Sequence, residues 1–148
     1  MSGFGITIDS RGIDQLNATL DRLSGIDTSP VLGVMGRIVE DQTINRIKET
    51  KASPDGELWP EWSDEYAATR HSNQSLLESQ GHLVDSMQSV EGLDSVEVGT
   101  NLEYARSHQY GDPRRGIPQR EFLGVGAGDV YELQETLERW YQDEISRL

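Results

Sequence analysis

A chain of 148 residues with 26 acidic and 13 basic side chains, net −13, has the size of one domain. It lacks the basic surplus that DNA binding by counterion release, or docking on an anionic membrane, requires. The absence of cysteine excludes disulfides, thiolate metal sites and thiol nucleophiles. No apolar run approaches the ~18–20 residues of a membrane span, and the start MSGFGITIDSRG has neither the basic nor the apolar part of a signal peptide. Leu, Ile, Val and Phe make up about 23% of the chain, above the ~20% floor for disorder. The expectation is a soluble, intracellular, single domain over 1–148 with a lean core.

Alternation of Phe4, Ile6 and Ile8 with Gly5 and Thr7 predicts a short first strand. Ile13, Leu16, Leu20 and Leu23 then recur every three or four residues, an amphipathic helix that Gly25 ends. Ser29-Pro30 reads as a helix start with a capping hydroxyl, and that helix runs to about Thr50. Val31, Val34, Met35 and Ile38 share one of its faces, whereas Ile44 and Ile47 lie nearly opposite. Two accounts fit: a helix kinked at Gly33 and Gly36 or wrapped by its own domain, and a helix whose far end packs on a neighbouring subunit.

From Lys51 to Trp62 the periodicity stops, and Pro54-Asp55-Gly56 marks a turn. Ser63 is placed to cap a helix of about two turns. His71 to Ser75 is polar. Leu76 to Ser86 is apolar, broken by Gly81, and leads into a short helix. Met87 to Gly99 reads as a hairpin with Val96 and Val98 on one face. A short helix over Tyr104–Tyr110 precedes the loop GDPRRGIPQR. Asp129 then caps a final helix with a stripe of Val130, Leu133, Leu137 and Trp140, and with Tyr141, Ile145 and Leu148 beside it. The class is α+β: about three substantial helices packed on a small antiparallel sheet.

Catalytic and metal signatures are sparse. His71, His82 and His108 have no metal-ligand spacing, and Gly81 interrupts the Glu78–His82 pair. Gly124 to Gly128 lacks the lysine and spacing of a phosphate loop and reads as a flexible hinge. No catalytic, metal or cofactor residue is assigned, and no enzyme is expected. Two features point to contacts instead. Trp59 and Trp62 either pack on their own domain or anchor a partner. Arg106, Arg114, Arg115 and Arg120 give Tyr104–Arg120 a charge of +3 within a chain of −13, through local ion pairs or through head-to-tail association with an acidic face.

The punctuation then follows an order: Pro54-x-Gly56-x-x-Trp59, Leu76-Leu77, Gly81-His82-Leu83-x-x-Ser86, Val98-Gly99-Thr100, Tyr104-Ala105-x-x-His108-Gln109-x-Gly111 and Pro118-x-Arg120-x-Phe122-Leu123-Gly124. This succession resembles the phage virion morphogenesis family, the tail-completion proteins of Mu-like and P2-like phages. It covers about Lys51 to the C-terminus, and it departs from the family pattern at Gln80, where a threonine-like residue is expected.

The resemblance implies a neck protein at the head–tail junction, assembled in the host cytoplasm into a ring, with six copies one candidate number. Its implied partners are further copies of itself, a head-side connector or stopper, and a tail terminator or tail tube protein. Genomic DNA would slide through an acidic lumen without specific binding; no membrane is involved. By the same resemblance Gly56, Gly81, Gly99 and Gly111 set turns, Trp59, Tyr104 and Phe122 anchor a core or interface, His108 is a hydrogen-bonding turn residue, and Arg120 grips a carboxylate or main-chain carbonyls. The interface set is Trp59, Trp62, Arg106, His108, Arg114, Arg115, Arg120 and Phe122, with 51–62 and 110–118 as interaction loops. Rival readings are a tail terminator, an assembly chaperone, a small acidic hydrolase and a DNA mimic.

Overall fold

The computed structural model describes residues 3–9 and 27–147. In chain order it contains β1 (Phe4–Asp9), α1 (Ser29–Asn45) and a π-helical turn over Arg46–Thr50. Two one-turn helices follow, α2 (Asp64–Ala67) and α3 (His82–Asp85), then the strands β2 (Gln88–Glu91) and β3 (Ser95–Thr100). The chain ends with α4 (Ala105–Tyr110), a 3-10 turn over Pro113–Arg115, and α5 (Ala127–Ser146). The predicted helix around Ile13 to Leu23 lies outside the described residues.

The sheet is antiparallel with β3 in the middle, β1 on one side and β2 on the other. Phe4 pairs with Thr100 and Asp9 with Ser95, while Gln88 pairs with Gly99. Val96 and Val98 therefore point to the same side, and both are completely buried. The class is α+β, as the sequence predicts.

α1 lies between the sheet on one side and α5 on the other. That position explains its two apolar faces. Val31, Met35 and Val39 are buried, and so is Ile47 at the far end, enclosed by its own chain. Gly33 and Gly36 lie inside one unbroken run of helix. A Cβ at Gly36 would stand 2.6 Å from Val96 Cγ2 and one at Gly33 2.4 Å from Glu91 Oε1, so the glycines let the helix lie close on β2 and β3. The helix start is also corrected: Ser29 supplies no side-chain cap, and the Asp27 carboxylate accepts the Ser29 N–H at 3.0 Å.

Lys51 ends the π turn in the left-handed region, at φ 51°. Its ammonium bonds to the Ile47 carbonyl, to Ser75 Oγ at 2.9 Å, to the Leu76 carbonyl at 2.8 Å and to Glu78 Oε1 at 3.1 Å. One side chain thus closes the end of α1 and ties residues 75–78 to it. Ser63 Oγ accepts the Tyr66 N–H as expected, but α2 has one turn and not two. Gly99 sits inside β3 opposite Gly5 and sets no turn.

Gly126 is the N-cap of α5, with Asp129 inside the first turn and its carboxylate accepting the Gly126 N–H at 2.9 Å. Its buried stripe is Leu133, Leu137 and Tyr141 with Trp140 half-buried, while Val130 faces out. Residues 124–126 are no hinge: a Cβ at Gly126 would stand 1.8 Å from the Pro54 carbonyl oxygen. No helix among the described residues is long and apolar enough to cross a membrane.

These contacts separate two neighbouring glycines. Gly126→Ala forces the 54 loop away and is expected to cost about 1–3 kcal/mol, as overpacking does. Gly128 has open space where its Cβ would be, so Gly128→Ala is expected to be neutral or to stabilise by up to about 1 kcal/mol. Urea denaturation of the two variants checks this, and equal losses would contradict it.

Candidate functional site

Residues Arg120 to Leu123 run as irregular backbone with Arg120, Phe122 and Leu123 buried, so their polar groups need partners outside any helix or sheet ladder. Side chains from three other regions supply them. Gln109 on α4 accepts the N–H groups of Phe122 and Leu123 through Oε1 at 3.1 and 3.0 Å and donates to the Leu123 carbonyl at 2.7 Å. Arg46 donates to the Phe122 carbonyl at 2.8 Å and pairs with Asp129. The Trp59 indole donates to the Glu121 carbonyl at 2.9 Å, and the His108 carbonyl accepts the Arg120 N–H at 2.7 Å.

The clamp is reciprocal. Arg120 reaches back to the Pro60 and Glu61 carbonyls at 2.8 and 3.2 Å. Its planar fork suits two carbonyls at once. The 51–62 loop is thereby fastened to the strap through Trp59, Arg120 and the Gly126–Pro54 contact. Gly111, at φ +75°, lets the chain fold back so closely that a Cβ there would be 3.0 Å from the Gln119 nitrogen.

The clamp holds open a groove of about 1230 Å³. Its walls include Trp62 before α2 and Tyr66 in it, Tyr104 at the start of α4 and His108 in it, and Arg115 and Pro118 on the following loop. This exceeds the ~300–1,000 Å³ of ordinary small-molecule sites. Leu77, a non-glycine residue at φ 59°, also lines it. Arg70 lies 4.4 Å from the centre of the Tyr66 ring, and Arg106 lies 5.5 Å from that of Tyr110.

The ion pairs among the described residues are Arg46–Asp129, Lys51–Glu78 and Arg147–Glu144. None involves Arg70, Arg106, Arg114 or Arg115, so ion pairing among the described residues does not account for the basic stretch. No group of three or more His, Asp or Glu side chains among the described residues could hold a metal ion.

The structure divides the eight expected contact residues. Trp59, Phe122 and Arg120 are buried in the chain's own interior, with Arg120 gripping main-chain carbonyls. Trp62, His108 and Arg115 line the groove; Arg106 and Arg114 are exposed near it. His108 sits in α4 and not in a turn. Its ring meets Tyr104 edge-on with centroids 6.0 Å apart, and its Nδ1 is buried without a hydrogen-bond partner. Sequence reasoning missed Gln109, Arg46 and Lys51. For Gln109 a signal was present: an uncharged amide inside the YARSHQYG block.

The groove is walled by aromatic rings and by Arg70 and Arg115, neither of which is in an ion pair among the described residues. The family model for the phage virion morphogenesis family matches residues 8–142, and the chain belongs to that family. It is similar to the "Putative capsid assembly protein G" of Escherichia phage Mu, with 28% identity over 131 residues, covering 73% of this chain and 84% of that protein. No solved structure matches the chain. The family and this relative place the chain among phage structural or assembly proteins; neither name is that of an enzyme.

Two outcomes test the site. Gln109→Leu strands three buried backbone groups, and at roughly 1–3 kcal/mol for each unsatisfied group a loss of several kcal/mol is expected on chemical denaturation; a loss under about 1 kcal/mol would contradict the clamp. Burial, and then the charges of Arg120 and Arg115, hold the His108 pKa below the usual imidazole value. The unfolded chain then binds a proton there before the folded one does, so stability falls as pH drops below ~6.5. His108→Gln is expected to flatten this fall between pH 7.5 and 5.5, and an unchanged slope would refute it.

Proposed function

We propose that this protein acts at the head–tail junction of a phage or prophage, where its copies close into a ring that joins the DNA-filled head to the tail. Membership of the virion morphogenesis family supports the setting. One structural observation carries the ring: two surfaces of opposite charge on different elements. Arg106, Arg114 and Arg115 are exposed and lack carboxylate partners among the described residues. Residues 127–147 hold six acidic side chains against two basic ones. A ring built from one kind of chain needs two different complementary patches on each copy, and opposite charges set their register.

On this reading the head-side partner is a connector or stopper and the tail-side partner a terminator or tube protein. The net charge of −13 keeps passing DNA from sticking, since phosphates and carboxylates repel. The test is complementation: purified protein added to heads and tails from a phage lacking it should restore infectious particles. Arg114→Glu/Arg115→Glu is expected to restore at least about tenfold fewer, equivalent to ~1.4 kcal/mol, with the deficit changing with salt. Full activity of the variant at every salt concentration would refute the charge pairing. No restoration by the unaltered protein would refute the junction role.

A further inference from the structure

The outward face of α5 has a pattern of its own. Tyr131, Glu135, Glu138, Gln142 and Ile145 recur at spacings of four, three, four and three, which places them within about 80° of arc on one side of the helix. All five are exposed, and the stripe is centred about 120° around the helix from the buried Leu133, Leu137 and Tyr141. It is about 21 Å long at 1.5 Å per residue. Its two ends are apolar or aromatic, with Tyr131 at 64% exposure and Ile145 at 41%. Its centre carries two carboxylates, and neither Glu135 nor Glu138 is in an ion pair among the described residues.

We propose that the groove beside α2 and α4 receives this α5 face from a second copy of the chain. The inference rests on the ring reading above and names the contact that closes it. The chemistry matches: Trp62, Tyr104 and Pro118 offer apolar walls for Tyr131 and Ile145, and Arg70 and Arg115 offer cations for Glu135 and Glu138. None of the groove's lining belongs to α5, which packs on α1. The two surfaces are therefore distinct, as a head-to-tail contact requires.

Net charge narrows the choice further. Copies carrying −13 repel one another, so self-association needs a place where cations meet carboxylates at short range. Residues 104–120, which form one wall of the groove, carry +3.

Charge exchange tests the contact. The readout is self-association of the full chain, followed by sedimentation across a concentration series, with thermal unfolding as a folding control. Arg70→Glu/Arg115→Glu together, and Glu135→Arg/Glu138→Arg together, are each expected to weaken association at least tenfold. Combining all four, or mixing the two variants, is expected to restore it, because each reversed groove then meets a reversed helix. Association that survives both variants unchanged would overturn this contact and leave the ring to another surface. Loss without restoration would also overturn it. A wild-type chain that stays monomeric at all concentrations, alone and with heads and tails, would overturn the ring reading itself.

Discussion

The structure depends on one constraint: a buried stretch of irregular backbone at Arg120–Leu123 must have its polar groups paired by side chains from elsewhere. A helix or strand satisfies itself, whereas this strap cannot. Gln109, Arg46 and Trp59 each give it hydrogen bonds, and Arg120 repays them by fastening the 51–62 loop. Leaving any of these groups dry and unpaired would cost more than the bond itself contributes. The arrangement therefore forms together or fails together.

That cooperativity links fold to function. The strap sets the distance between the Trp62 side and the α4 side of the groove, and Arg120 touches both, through its backbone to His108 and its side chain to Pro60 and Glu61. On the ring reading proposed above, a groove held by bonded backbone keeps its shape in the free molecule, which would leave less ordering to be done when copies meet. The two motif blocks YARSHQYG and IPQREFLG are partners in space: the amide of the first holds the main chain of the second.

Much of this was legible in the sequence. The first strand, the Met87–Gly99 hairpin, the long helix to Thr50 and the Gly56 turn follow from period and turn chemistry, which act over a few residues, and the resemblance adds the turns at Gly81 and Gly111. What escaped acts over long separations. Nothing local in Lys51 announces bonds to residues 75–78, and nothing local in Gly126 announces the Pro54 carbonyl against it, so a packed junction read as a hinge. The opposed faces of α1 were visible, but only the third dimension shows a helix covered by the sheet on one side and α5 on the other. Arg120 and Trp59 stand out by type as contact residues. Their partners proved to be main-chain carbonyls of the same chain, because a long side chain can as readily satisfy an internal strap as an outside partner.

The junction role itself is tested most directly by electron microscopy of a lysate from phage lacking this gene. The account predicts DNA-filled heads beside separate tails of normal length. Tails of irregular excess length would shift the role to termination of the tail tube. Normal, infectious particles would contradict a structural role altogether.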